Sequence, residues 1–319
     1  MNWLKVVRPL REGGFVLLIT LLVVLLLTVI IFEFDFQSRA DLRAAGNFRD
    51  DVAAYYVALS GITAGKAILE EDRDNYGTVD SSNEGWNTTI PPYPVGEGAV
   101  SGKITDESGK FNLNSLKYSA TRQVITAQTT LDFRRNQLRR LFELLVVDPN
   151  LVDPIIDWMD PDGNTEPNGA EDETYQALKF PYPTKNAPLD TLEEILYIKG
   201  ITPEIYQKIS SYLTVSTDAT GGMINVNTAD YLILQSIDPR IDESTAKNLV
   251  KGIPYNAGAF CIALGPVICG TNMPHSTLFA IQSNIYSLVA TGTVRNTRKT
   301  IHAIWNRTQP NTYLYFKVE

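Results

Sequence analysis

Hydrophobicity falls along this chain in three regimes. From Phe15 to Phe32 the run FVLLITLLVVLLLTVIIF is interrupted only by Thr20 and Thr28. As a helix rising ~1.5 Å per residue it spans roughly 27 Å, close to the hydrocarbon thickness of a bilayer. The chain then continues without proline to Asp72. Phe48, Val52, Tyr55, Tyr56, Leu59, Ile62 and Leu69 recur there near the helical period, with charges on the opposite side. This pattern predicts one long helix, half in lipid and half amphipathic, that stops at Asn75-Tyr-Gly.

The second regime is short and mixed. Gly85 to Pro94 reads as a polar, proline-containing loop, and AVSGKITDESGKFNLNSL from Ala99 as a hairpin turning at Glu107-Ser-Gly109. Helical spacing then dominates at 131–147, 151–159, 192–199, 203–213 and 228–234. The third regime, SNIYSLVATGTVRNTRKTIHAIWNRT and TYLYFKVE, is β-branched and aromatic. Two β pieces flanking about 150 mostly helical residues predict an α+β domain with a large helical insertion. A faint internal echo crosses these regimes. GKFNLNSL from Gly109 and GMINVNTA from Gly222 share G-x-apolar-N-apolar-N-[ST]-apolar, which reads as a recurring strand-to-helix step with Thr228 as a helix cap.

Charge orients the molecule. Lys5, Arg8 and Arg11 precede the apolar run, whereas acidic and basic residues are mixed after it, so the leader belongs in the cytoplasm and the body across the membrane. The small residues Gly13 and Gly14 come before the apolar core, so cutting there leaves the anchor attached, unlike a secretory signal. Residues 1–14 carry three basic groups and Glu12. The remainder has 25 Lys+Arg and 35 Asp+Glu, a net charge of −10, which suits nucleic-acid binding poorly. The cysteines, Cys261 and Cys269, lie on the oxidising side, where a disulfide closing a small loop is expected and two buried thiols are the alternative. RRNQLRR from Arg134 reads as a solvated helix face. No G-x-S-x-G, Walker A or H-E-x-x-H sequence is present, and nothing points to an enzyme.

DPIIDWMDPDGNTEPNGAEDETY from Asp153 concentrates carboxylates that repel unless solvated or joined by a cation, and hard oxygen ligands at this spacing suit Ca²⁺. Asp160, Asp162, Asn164 and Glu171 fall at positions one, three, five and twelve of a loop. Gly163 sits at four and prolines interrupt it, so the loop is not an EF-hand. Trp158 and Tyr175 read as core packing.

A basic leader ending in glycine, Phe at the cut and an apolar helix with an amphipathic continuation resemble a type IV prepilin or pseudopilin. GGFVLLITLLVVLLL, DESGKFNLNSL, IIDWMDPDG…NGAEDETY, LDTLEEILYIKG and GGMINVNTA, in that order, resemble the minor pseudopilin K (GspK) family of type II secretion. The resemblance implies a pilin-like α+β fold: a long N-terminal helix on an antiparallel sheet, interrupted by a large helical domain. In these terms the leader is 1–14, the transmembrane segment 15–32, the pilin-like part 33–114 and 272–319, and the insertion 115–271. It implies prepilin-peptidase cleavage between Gly14 and Phe15, N-methylation of Phe15, and calcium held by Asp160, Asp162, Glu171 and Asp172, with Asp157 and Asn164 as further candidates. The fifth mature position is Ile19, where most relatives of this class carry Glu. An unpaired carboxylate in lipid is costly, so its loss fits a subunit with no earlier neighbour to neutralise.

The expected role follows. This would be a single-pass inner-membrane protein with a periplasmic body, at the tip of a pseudopilus. It would nucleate assembly with the I- and J-type and then H-type minor pseudopilins and the major pseudopilin, supporting protein export. Two alternatives stand beside this: a tip minor pilin of a type IV pilus, and a membrane-anchored DNA-uptake receptor. For the receptor, LEEILYIKGITPEIYQKI and the second N-V-N-T-A segment resemble helix-hairpin-helix units, although Gly200 is a lone turn glycine among glutamates.

Overall fold

The computed structural model describes residues 13–116, 125–216, 222–265, 269 and 278–319. The basic leader at 1–12 and His275 lie outside the described residues.

Helix α1 runs from Gly13 to Tyr76, uninterrupted for 64 residues. Among the described residues it is the one helix long and apolar enough to cross a membrane. Its first half is bare, and it meets the body only from about Asp50 onward. The buried stripe there is Ala54, Ala58, Ile62 and Leu69, with Tyr55 and Leu59 at its margins. Phe48 and Tyr56, read from the sequence as core positions, are 71% and 62% exposed. The reason is steric. At Ala54 and Ala58 the helix lies so close to the sheet that only small side chains fit, since a Cβ on Gly292 would collide with the Ala54 carbonyl oxygen, and Phe48 precedes the stretch that meets the body.

The sheet under α1 has five antiparallel strands in the order β1-β2-β7-β8-β9. They are β1 (Ile90–Val95), β2 (Gly98–Asp106), β7 (Ile285–Val294), β8 (Thr297–Asn306) and β9 (Tyr313–Val318). Leu288, Ala290, Ile301, Ala303 and Trp305 point from it into the α1 core. β1 occupies the stretch expected to be a loop, because its prolines are acceptable on a sheet edge where no partner needs their missing N–H.

The insertion leaves after β2 and returns at β7. The expected hairpin does not form: β3 (Phe111–Asn112) abandons β2 and pairs in parallel with β4 (Leu213–Thr214). β5 (Ile224–Asn225) pairs likewise with β6 (Phe279–Ala280). The helices are α2 (Ile125–Leu144), α3 (Val152–Met159), α4 (Asp172–Gln176), α5 (Pro203–Ile209), α6 (Tyr231–Ser236), α7 (Glu243–Lys251) and α8 (Ala257–Leu264). They share one core, separate from that under α1, which runs from Phe111 and Leu113 to Leu264 with Phe279 packed on it. That core therefore reaches a few residues beyond 115–271 at both ends. Residues 192–197 form a 3-10 helix rather than an α-helix, started by a capping box between Thr191 and Glu194. α6 is capped by Asp230, whose side chain accepts from the Leu232 N–H, and not by Thr228. α7 and α8 were not anticipated; α8 is apolar without a helical period, whereas α7 is amphipathic and was missed.

The helical layer sits at the C-terminal end of α1, away from the apolar segment. Ser82 N–H donates to the Asn227 carbonyl at 3.1 Å, and the Asn83 side chain to the Ile253 carbonyl at 3.1 Å. Cys261 and Cys269 are joined by a disulfide with a Cα–Cα distance of 5.4 Å.

Candidate functional site

The acidic loop hangs between α3 and α4, and the arginines of α2 hold it. Arg135 grips Glu166 with two nitrogens, at 2.6 and 3.3 Å. Arg139 is paired with the fully buried Asp153, which also accepts from Asn168. Arg140 donates to the Gln235 and Pro239 carbonyls. Arg134 is buried, donating to Gln137 and the Leu278 carbonyl, and burial lowers its pKa to about 10. The run read as a solvated face is thus a set of tethers, each reaching a different segment.

With those tethers in place, the loop carboxylates separate into used and unused. Asp157 is fully buried and accepts from the N–H groups of Glu166 (3.1 Å) and Ala170 (2.7 Å), so it shapes the loop; burial raises its pKa. Asp172 accepts from both the N–H and the hydroxyl of Thr184, at 2.6 and 2.7 Å, and these bonds lower its pKa. Through Oδ1 it ties α4 to the segment that follows at Thr184. Asp162 is exposed and caps a turn through the Asn164 N–H; the Asn164 side chain is exposed.

Asp160 and Glu171 remain. They are 7% and 8% exposed, and Asp160 Oδ1 and Glu171 Oε1 are buried with no hydrogen-bond partner among the described residues. Burial pushes both up to about 7. For Asp160 the charges of Asp162 and Asp157 add to this, and for Glu171 those of Asp157, Asp160 and Asp162. Two buried, unsatisfied carboxylates nine-tenths shielded from water are what a hard cation repairs. Asp160 and Glu171 offer the hard oxygens that calcium takes, although with Asp162 they do not bring three carboxylate oxygens within 4.8 Å of one another. Trp158 and Tyr175 stack edge to face behind the loop at 5.2 Å and are packing residues.

A second convergence had no sequence signal. Asp72, Asp80 and Glu84 each bring a carboxylate oxygen within 4.8 Å of the others. Asp80 is saturated by Arg307 at 2.9 and 2.7 Å, the Tyr286 hydroxyl at 2.9 Å and the Ser283 N–H at 2.7 Å. Glu84 accepts from Ser81 N–H and Trp86 Nε1. Burial foremost, then Glu84 and Asp80, raise Asp72 to about 6. This group staples the end of α1 to β7 and to the end of β8, and its members lie up to 235 residues apart.

At the two hairpin-like turns the exposed cations Lys199 and Arg240 have partners within the chain. Lys199 donates to the Gly169 carbonyl at 3.4 Å, and Arg240 is paired with Asp238. Ile19 and Phe15 lie in the bare half of α1, 44% and 69% exposed, and Gly14 lies in its first turn.

Comparison with known proteins agrees with this architecture. Residues 109–218 match the family model for type II secretion system (T2SS), protein K. Type II secretion system protein K of Klebsiella pneumoniae is 28% identical over 227 residues, covering 68% of this chain and 67% of the relative. That of Pectobacterium carotovorum subsp. carotovorum is 27% identical over 224 residues, covering 69% and 67%. The chain is thus similar over about two thirds of its length to type II secretion system protein K. The Pseudomonas aeruginosa family member is 27% identical over 246 residues, covering 75% of this chain and 72% of its own. The crystal structure of the GspK–GspI–GspJ complex from enterotoxigenic Escherichia coli contains a chain of the same fold. Its TM-score is 0.69 at 19% identity, over 88% of this chain and 99% of that one. The long helix on an antiparallel sheet with a helical insertion is thus the fold this chain shares with that one.

Proposed function

We propose that this protein is the minor pseudopilin that begins a type II secretion pseudopilus, held in the inner membrane by Phe15 to Phe32 with its body in the periplasm. The observation that carries the reading is the position of the helical layer. It lies at the end of α1 opposite the apolar segment, joined there through Asp80, Ser82 and Asn83, which supports a place at the end of a filament. The bare lower half of α1 remains open for subunits added beneath. Ile19, in place of a carboxylate, supports the same position, because a first subunit has no earlier amine to neutralise. The GspI and GspJ partners of the structural neighbour point to small minor pseudopilins as the first contacts, with H-type and major subunits following. Cleavage between Gly14 and Phe15 and methylation of Phe15 by a prepilin peptidase belong to this reading.

The test is to count. Labelled protein in assembled pseudopili is expected as a single copy at one end; labels spread along the filament would overturn the reading. The calcium part has its own test. With the ion held by Asp160, Glu171 and Asp162, a chelator is expected to lower the Tm by roughly 5–10 °C, the effect of a ligand near a hundredfold its Kd. Glu171→Gln is expected to abolish that shift, and an unchanged Tm on chelation would remove the site.

A further inference from the structure

The two edges of the five-stranded sheet are treated in opposite ways. β1 reads IPPYPV, and Pro91, Pro92 and Pro94 leave it few N–H groups to offer. β9 reads YLYFKV, without proline and with a single charge. Among the described residues no strand pairs with its outer side.

The register states which groups are left. Thr300 and Glu319 exchange both backbone hydrogen bonds, at 3.0 and 2.9 Å. In an antiparallel ladder such pairs alternate, so Lys317 and Tyr315, opposite His302 and Ile304, also bond inward. Phe316 and Val318, opposite Ala303 and Ile301, therefore turn their N–H and C=O away from the sheet. Their side chains are 40% and 41% exposed, and Leu314 at the neighbouring bulge is 41%. Ala303 and Ile301 are buried under α1, so Phe316 and Val318 lie on the same face, just past the reach of the helix. Tyr313 extends the strip, its ring 5.3 Å from that of Phe316.

Free backbone groups at alternate residues, coupled to exposed apolar side chains, are complementary to one kind of object: another extended strand. We propose that β9 receives a β-strand from a neighbouring pilin-like subunit, which continues this sheet across the subunit boundary. The inference deepens the pseudopilin reading and rests on it. It adds a lateral contact at β9 to the one left open along the lower half of α1 and leaves the β1 edge closed, so that sheet-to-sheet addition occurs on one side only.

Amide hydrogen exchange on the full chain in detergent, alone and with I- and J-type pseudopilins, tests it. In the free protein the Phe316 and Val318 amides are expected to exchange fast and those of Tyr315 and Lys317 slowly. In the complex the outward pair slows at least tenfold. Phe316→Pro removes one outward donor and no inward bond, and is expected to weaken the complex tenfold or more. Phe316→Lys, which keeps the backbone intact, is expected to weaken it as well, while Tyr93→Lys on β1 leaves it unchanged. A full-affinity complex with fast outward amides would overturn the strand contact and leave the pseudopilin reading standing. Protection of Phe316 and Val318 without partners, in a dimer of this chain, would assign the edge to a second copy and overturn the partner. No complex at all would remove the pseudopilin reading itself.

Discussion

The two copies of G-x-apolar-N-apolar-N-[ST] fold alike and serve different ends. In the first, Asn112 Oδ1 accepts from the Asn114 N–H at 3.1 Å, and the Ser115 hydroxyl donates to the Asn112 carbonyl at 2.6 Å. In the second, Asn225 Oδ1 accepts from Asn227 N–H at 3.0 Å, and the Thr228 hydroxyl reaches the Asn225 carbonyl at 3.4 Å. The second asparagine of each clasps a distant peptide from both sides: Asn114 holds Leu189, and Asn227 holds Tyr255. The glycines interlock. A Cβ on Gly109 would stand 2.7 Å from Thr228 Oγ1, and one on Gly222 2.7 Å from Ser115 Cβ. Each motif's glycine therefore makes room for the other motif's hydroxyl residue, and the pair reads as an internal duplication packed face to face.

Their surroundings then diverge. The Asn112 amide turns to Ser216, donating to its carbonyl and accepting from its N–H at the margin of the helical layer. The Asn225 amide is fully buried between layers and donates to the Asp80 carbonyl (2.9 Å), the Ser283 hydroxyl (2.7 Å) and Asp106 (3.4 Å). Local sequence dictates the corner; burial and a neighbouring charge dictate its worth. Asn225→Ala is expected to cost about 3–5 kcal/mol, since it leaves a buried carboxylate and a hydroxyl short of a partner. Asn112→Ala, which leaves no buried carboxylate short of a partner, is expected to cost about 1–2 kcal/mol. Denaturant unfolding of both variants in detergent checks the gap, and equal losses would break the distinction.

Much of this was legible in the sequence because it is written locally. The length of α1, its stop at Gly77, the strands at the end and the echo itself all follow from periodicity and turn residues. What escaped detection was non-local. Asp80, Tyr286 and Arg307 meet only because the sheet closes, and no spacing announces them. The tethers of α2 looked like a solvated run because a positive charge carries no mark of its partner. The hairpin expectation at Glu107-Ser-Gly109 failed for a related reason. Phe111 has the alternation of a partner for β2, yet a larger core claims it in the helical layer. The acidic loop was visible as composition, but which carboxylates remain unsatisfied was decided by Thr184, Arg135 and Arg139, far off in sequence or hidden in a helix.

The junction also makes the comparison sensitive to pH. Burial raises Asp106 to about 6, against the hydrogen bonds from Ser283, Thr228 and Ser108 that favour its charge. The folded state therefore holds this proton more tightly than the unfolded chain. Its stabilising contribution is complete below pH ~4 and is lost as pH rises to about 6. Relative to Asp106→Asn, which does not titrate, the parent protein is expected to lose roughly 2–3 kcal/mol between pH 4 and 7. Asn112→Ala leaves that profile unchanged. Asn225→Ala moves it to higher pH by withdrawing a donor from the carboxylate. A flat difference between the parent and Asp106→Asn would mean that the proton is not held at the junction.

The smallest expected effect sharpens the comparison from the other side. If the duplication sets the corners and the surroundings set only the first asparagine's role, the second asparagines should be equivalent. Asn114 meets Leu189 at 2.8 and 2.9 Å, and Asn227 meets Tyr255 at 2.7 and 2.9 Å. Each clasp satisfies one N–H and one C=O, so alanine at either position is expected to cost about 1–3 kcal/mol, with a difference below about 1 kcal/mol. A difference as large as that between positions 112 and 225 would show that the interlayer junction governs the whole second motif. The duplication would then survive as geometry alone, with no shared energetics.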